Sequence, residues 1–342
     1  MAGRLDLKHG AVDMSHGSGG RAMAQLIDQL FRKHLDNDLL ARGDDQALLA
    51  PPAGRLAMSI DGHVISPLFF PGGDIGSLAV HGTVNDVAMC GARPLYLAAG
   101  FILEEGLALA ELARIVESMA AACNACGVPV VTGDTKVVER GKGDGCFITT
   151  TGVGVVPEGL DISGANARPG DAILVSGHIG DHGVAIMSKR ENLGFETEIH
   201  SDSQALHDLV AVMIDAVPEI HCLRDPTRGG LASTLNELAQ QSGVGMQIRE
   251  PAIPVRPEVT AACELLGLDP LNVANEGKLV AICPADQAET LLAAMRAHPK
   301  GFDAAIIGEV FEDPHHFVQM ETAFGGNRIV DWLAGEQLPR IC

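Results

Sequence analysis

Apolar residues recur along this chain at two periods, about 3.6 and 2, and the segments they mark alternate. Between residues 21 and 34, Met23, Leu26, Ile27, Leu30 and Phe31 share one helical face and predict a helix. The run His16-Gly17-Ser18-Gly19-Gly20 before it holds too many glycines for a helix interior, and residues 1–20 are expected to be mobile. A strand over 56–60 leads to Asp61, Pro71-Gly72-Gly73 is a turn, and Asp74 is placed to cap a helix running to about residue 90. A strand over 93–103 follows, then an Ala/Leu-rich helix over 107–126 stopped by Gly127 and Pro129, then strands over 128–132 and 146–156. Residues 157–169 read as a junction.

The second half opens with a strand over 172–176. Helices are expected over 181–190, 203–217, 231–240, 257–266 and 285–297, and strands over 244–248, 278–283 and 304–310. The alternation predicts an α/β class with α+β character in two domains. We place the domains at 1–157 and 168–320, with a C-terminal region at 321–342 that ends in a flexible, Pro-bearing tail.

Hydrophobic residues make up 46% of the 342 residues and aromatic ones 4%, so Ala, Val, Leu and Ile fill the core. Forty glycines suit tight turns in a compact α/β protein. The net charge of −20 excludes the basic face that nucleic acid needs and disfavours an anionic membrane surface. It also means that a polyphosphate ligand would need a divalent cation between it and the protein. No apolar run is long enough for a membrane span, and the first thirty residues hold no signal-peptide core. The chain is therefore expected to be cytoplasmic, with its 8 cysteines reduced.

Acidic residues stand at element ends: Asp44-Asp45, Asp61, Asp86 in Thr83-Val84-Asn85-Asp86, and Asp134 in Gly133-Asp134-Thr135-Lys136. Each alone suits a turn or a cap. Carboxylates from several loops also suit Mg²⁺, which keeps waters and takes phosphate oxygens. Lys136 shares a face with Asp134 if the segment is extended, and can serve a phosphate, an oxyanion or only a surface strand. Ser176-Gly177-His178-Ile179-Gly180-Asp181-His182-Gly183 reads as a turn that admits an anion or as plain strand–helix punctuation, and Asp225-Pro226-Thr227-Arg228-Gly229-Gly230 has the same character. Glu276, beside an apolar strand, is either a base with a raised pKa or an ordinary strand-end residue. Cys123 and Cys126 fall on one helical face and read as core cysteines, since zinc needs two more ligands. Cys342 ends the chain. Its own carboxylate should raise the thiol pKa and Arg340 offset that, and a thiol on a tethered arm can visit an active site.

Eight motifs in order then carry a resemblance. They are His16–Gly20, Phe69-Phe70-Pro71-Gly72-Gly73, Asn85-Asp86-Val87-Ala88, Gly133-Asp134-Thr135-Lys136-Val137-Val138, Gly180-Asp181-His182-Gly183, Thr227-Arg228-Gly229-Gly230, Asn275-Glu276-Gly277-Lys278 and Pro339-Arg340-Ile341-Cys342. End to end, the chain resembles the HypE family of hydrogenase maturation factors, the carbamoyl dehydratases of the aminoimidazole ribonucleotide synthetase-like superfamily. The resemblance implies two α/β domains, a homodimer paired through the N-terminal domains, and ATP with Mg²⁺ in a cleft. It implies that Asp45, Asp61, Asp86 and Asp134 bind metal and nucleotide, with Asn85 and Gly133 beside them, and that Lys136 steadies phosphate or oxyanion charge. Superfamily members often read Gly-Asp-Asp-Ala. Here Gln46 separates Asp44-Asp45 from Ala47, and Asp45 is assigned to the metal.

The implied reaction starts with a carbamoyl group placed on Cys342 by the carbamoyltransferase HypF. ATP phosphorylates its oxygen, Glu276 acts as base with Asn275 orienting the amide, and a thiocyanate remains on sulfur. The cyano group then passes to iron held by the HypC–HypD complex. Two other readings remain. A phosphotransferase of the same superfamily would not need Cys342, and a non-enzymatic carrier would not need a Mg-ATP site.

Overall fold

The computed structural model describes residues 5–44, 46–50, 52–191, 199–332 and 340–342. The expected mobility of residues 1–20 is corrected for the part described. Val12 is buried, and the 3-10 turn Met14–Gly17 is closed by a capping box between Asp13 and His16. Gly17 lies so close to Val137 that a Cβ there would overlap its backbone, which explains a glycine without invoking mobility. The expected helix over 21–34 forms as α1 (Arg21–Leu26), a π-helical turn (Ile27–Phe31) and α2 (Arg32–Leu35).

The first sheet is built from β1 (Arg55–His63), β4 (Arg93–Glu104), β5 (Val130–Val138) and β6 (Cys146–Val156), in the order β1-β6-β4-β5. β2 (Phe69–Phe70) and β3 (Gly73–Asp74) form a small hairpin at the Pro71 turn. Asp74 caps α3 (Ile75–Ala88) as expected, its carboxylate accepting the N–H groups of Gly76 and Ser77. α3 and α4 (Leu109–Cys126) cover one face of the sheet, where Leu78, Leu97, Phe101, Leu103 and Ile115 are buried.

Strand alternation and register put Leu56, Met58, Ile60, Tyr96, Ile102, Val153, Asp134 and Lys136 on the opposite face. That face is uncovered: Leu56, Met58 and Ile60 are 63%, 74% and 68% exposed.

The second sheet has seven strands in the order β13-β12-β9-β11-β7-β10-β8. The chain enters it through β7 (Asp171–Val175), α5 (Asp181–Arg190), α6 (His207–Ala216), β8 (Cys222–Arg224) and α7 (Gly230–Ser242). It continues through β9 (Gly245–Arg249), α8 (Pro257–Leu266), β10 (Val280–Pro284), α9 (Ala288–Ala297) and β11 (Ala305–Phe311). β7 and most of β10 are buried throughout, which is why they read as unbroken apolar runs. Past residue 311, where no regular element was expected, β12 (Val318–Glu321) and β13 (Asn327–Ile329) extend the sheet edge. Strands of four and three residues are too short to show a period.

Most of the expected flexible tail, residues 333–339, lies outside the described residues. Of its last three residues Arg340 is exposed and Cys342 half-buried, while Ile341 is 3% exposed and joins the core cluster of the first domain.

Candidate functional site

Between the two sheets lies a cleft of about 430 Å³. β1 delivers Asp61 to it, α3 delivers Asp86, the turn after β8 delivers Asp225 and Arg228, the loop before β10 delivers Glu276, and the chain terminus delivers Cys342. Gly82 lines it as well. A Cβ there would come within 3.0 Å of His63 Nε2 and 3.3 Å of Asp61 Oδ2, so glycine lets β1 and its carboxylate lie close over α3. Gly229 and Gly230 both take positive φ, 76° and 58°, and a Cβ on Gly230 would run into the carbonyls of Leu271 and Val273. Only glycine allows the tight turn that starts α7 and aims Arg228 at the cleft.

The electrostatics are those of crowded, buried acids. Burial raises the Asp86 carboxyl to about 6, against the Ser59 hydroxyl that donates to it at 2.8 Å. Burial, then the nearby Asp86, raises Asp225 to about 7. Glu276 is 4% exposed, and its Oε1 has no hydrogen-bond partner among the described residues. Burial, with the Asp225, Asp202, Asp61 and Asp86 charges behind it, pushes its carboxyl well above the usual range. Removing like charge from this group would favour its ionised form.

Burial likewise pushes the Cys342 thiol up to about 12, helped by Glu276, while Arg228 pulls the other way. This corrects the expected causes. Arg340 plays no part, because its guanidinium pairs with Asp144.

The terminus is held by main-chain contacts. Val64 N–H donates to the Cys342 carboxylate at 2.9 Å and Ser66 N–H to the Arg340 carbonyl at 3.3 Å. Arg190 donates to the carbonyls of Ser66 and Arg340.

Several expected site residues sit elsewhere. Asn85 is buried beneath the cleft: its amide donates to the Gln204 and Glu276 carbonyls and accepts from Leu206 N–H at 2.7 Å. It therefore ties α3 to the second domain, while its neighbour Asp86 faces the cleft. Asn275 is also turned inward. Its Oδ1 accepts from Gly180 N–H and its amide donates to the carbonyls of Pro226 and Val273, so it joins two glycine turns and has no free N–H for a substrate amide.

Gly133 and Asp134 lie three strands from Asp61, at the other edge of the sheet, and line a separate apolar hollow of about 230 Å³ with Phe31, Leu35 and Phe101. Lys136 pairs with Asp134 at 2.5 Å on the uncovered face, so the expected shared face holds, but neither residue lines the cleft. Asp45 lies outside the described residues.

Asp225 and Arg228 were quoted only as parts of a turn. The signal that could have found them is a charged residue before two consecutive glycines. Cys123 is buried and Cys126 half-buried, both free thiols in the α4 packing.

Among the described residues, no three acidic, histidine or cysteine side chains converge closely enough to hold a metal unaided. Yet Asp61, Asp86 and Asp225 gather three carboxylates on one cleft, beside Arg224 and Arg228. That donor set fits Mg²⁺ arriving with phosphate oxygens and water in its remaining positions.

Family models match two stretches of the chain, the AIR synthase related protein N-terminal domain over residues 43–156 and its C-terminal domain over residues 168–321. The chain is 74% identical over 339 residues to the carbamoyl dehydratase HypE of Azotobacter vinelandii, covering 99% of each. It superposes on a crystal structure of hydrogenase maturation protein HypE in complex with ATP with a TM-score of 0.93 at 53% identity, covering 96% of this chain and 99% of that one. Against HypE from a HypE–HypF complex the TM-score is 0.80 at 48% identity, covering 90% of this chain and 99% of that one. The chain belongs to the AIR synthase related family, and within it to the carbamoyl dehydratases of the HypE type.

Proposed function

We propose that this chain uses ATP to dehydrate a carbamoyl group carried on its own Cys342, leaving a thiocyanate. One observation carries the reading: the Cys342 side chain lies in the interdomain cleft among Glu276, Arg228 and the acidic residues Asp61, Asp86 and Asp225. A small-molecule phosphotransferase has no use for a thiol of its own in that position.

The chemistry suits the groups present. A carbamoyl oxygen is a poor leaving group. Transfer of the ATP γ-phosphoryl to that oxygen turns it into phosphate, releasing ADP. One N–H proton leaves as the oxygen is phosphorylated, giving an O-phosphoryl imidate. Glu276 then takes the remaining N–H proton, and the freed electron pair closes the C≡N bond on sulfur as the C–O bond to phosphate breaks. Arg228 lies where it can balance the negative charge of the transferred phosphoryl. Asp61, Asp86 and Asp225 would hold Mg²⁺ on the nucleotide, where it supplies charge neutralisation. Less like charge around Glu276, as a cation on these carboxylates would give, would favour its ionised form. The ATP complex of a 53% identical relative supports nucleotide binding.

A docked thiol held near 12 is a poor nucleophile, so loading takes place with the tail out of the cleft. A carbamoyltransferase of the HypF type is the loading partner, supported by the HypE–HypF complex of a relative. A HypC–HypD complex is the acceptor of the cyano group. Eight free thiols suit a cytoplasmic setting, and no helix among the described residues is long and apolar enough to cross a membrane.

The functional unit is a homodimer. The uncovered sheet face of Leu56, Met58, Ile60 and Ile102 needs a cover, and β1 and β5 are the free edges of one sheet. A two-fold pairing brings β5 of a second copy, with Asp134 and Lys136, toward β1 and the cleft. It thereby reunites the acidic ladder that one chain leaves divided.

Intact mass tests the reading. Incubation with the carbamoyltransferase and carbamoyl phosphate is expected to add one carbamoyl group at Cys342, and Mg-ATP then to remove one water. Absence of modification on Cys342 with an active transferase would return the chain to the phosphotransferases.

A further inference from the structure

The turn Gly180-Asp181-His182-Gly183 looks in sequence like a place for an anion. In the fold it points at the chain's own terminus. His182, fully buried at the start of α5, has Nε2 at 2.7 Å from the Ile341 carbonyl oxygen. A carbonyl only accepts, so Nε2 carries the proton and Nδ1 is left as an acceptor. Ser201 Oγ lies 2.8 Å from Nδ1 and itself accepts from Ser203 N–H at 3.1 Å, so its hydroxyl hydrogen is directed to the ring. Phe70 packs edge-on against the imidazole, with centroids 5.7 Å apart and planes at 87°. The ring is thus fixed in tautomer and in plane, and it is kept neutral by burial.

The next residue in the same loop works on the other reaction partner. Asp202 accepts the backbone N–H of Glu276 at 3.1 Å and of Gly277 at 3.3 Å, and pairs with Lys278. Asn275 in turn accepts Gly180 N–H, fastening the base-bearing loop to the turn that carries His182.

We infer that the Gly180–Gly183 turn is a receptor for the C-terminal tail, in which His182, set by Ser201, grips the residue 341 carbonyl and so fixes the reach of Cys342 to Glu276. His182 is a positioning residue: it touches the tail main chain and not the reacting atoms. The buried Ile341 side chain and the Arg340–Asp144 pair also anchor the tail, and the His182 contact adds to them by setting the register of the main chain. The role of the docked tail rests on the dehydratase reading, but the docking itself does not.

The test is the rate at which iodoacetamide alkylates Cys342, followed by the mass of the C-terminal peptide released after Glu336. Alongside it run ATP affinity and single-turnover dehydration of the carbamoylated protein. His182→Ala is expected to speed alkylation of Cys342 about three- to tenfold, the effect of one lost buried hydrogen bond. ATP affinity should stay unchanged and dehydration should slow by no more than the same factor. His182→Gln, which keeps an N–H donor, should recover much of the protection. If His182→Ala fails to fold, Ser201→Ala decides, with a smaller acceleration expected. Wild-type alkylation rates in folded His182→Ala, or in Ser201→Ala where the first does not fold, would overturn the receptor. Accelerated alkylation in a protein whose wild type shows no dehydration would uphold the receptor and sink the dehydratase reading.

Discussion

The interdomain cleft and the uncovered face of the first sheet share only β1 of its four strands, and they are finished to different degrees. The cleft closes within one chain: α3 lies over β1, two glycine turns bring in Arg228 and Glu276, and the terminus fills the gap with Cys342. The open face carries Asp134 and Lys136 among apolar side chains that no described residue covers. One region already brings Glu276 and Cys342, the proposed base and thiol, to the same cleft. The other is half of something, and its charged pair is displaced from the chemistry by the width of the sheet. Residues grouped by motif order can thus belong to different surfaces of one chain, which the proposed pairing with a second copy would join.

Variants in the two regions should separate them. The largest effect is expected in the cleft. Glu276→Gln keeps the shape but removes the base, and single-turnover dehydration should fall by about 10²–10⁴-fold with carbamoylation of Cys342 intact. Unchanged dehydration would remove Glu276 from the mechanism. Next comes Lys136→Ala on the open face, expected to cost about 10²–10³-fold in dehydration without altering the dimer. A wild-type rate would leave Lys136 a surface residue.

Met58→Glu puts a charge in the middle of the apolar face. It should weaken self-association by at least about tenfold by sedimentation, with activity falling in parallel as protein is diluted. A monomeric wild type would sink the pairing outright.

The smallest effect is a pH dependence confined to the cleft. Asp86 and Asp225 have folded-state values of about 6 and 7, above their ordinary 3.8. The native state therefore binds more protons than the unfolded one between these values. Their contribution to stability is present at low pH and is lost as pH rises through 6 to 7. Melting of ligand-free protein should show Asp225→Asn gaining on wild type as pH increases from about 5 to 8. A constant difference would mean that the carboxylates are not crowded.

Much of this was legible in sequence because local rules and global packing agree. Asp74 before an apolar helix, Gly127 after one, and the unbroken apolar runs of β7 and β10 each announced their element. The cleft was legible as an inventory rather than as a place. Asp61, Asp86, Glu276 and Cys342 meet in one cleft, whereas the Asn85 and Asn275 amides are engaged in buried contacts between segments. A buried amide that joins two loops and one that orients a substrate look the same in a motif. Asp134 and Lys136 were grouped with Asp61 because motif order says nothing about sheet order, and β5 lies at the edge opposite β1. His182 passed unnoticed as a ligand of the tail, since its partner is a main-chain carbonyl 159 residues away that has no sequence signature.

The measurement that tests the shared-site account most directly is complementation between Lys136→Ala and Glu276→Gln chains, unfolded together and refolded as mixed dimers. If one reaction site takes Lys136 from one copy and Glu276 from the other, each mixed dimer regains one intact site, and random pairing restores about a quarter of wild-type dehydration. No recovery above the two parent variants, in dimers shown to have mixed, would contradict the account and confine the reaction to the residues of a single chain.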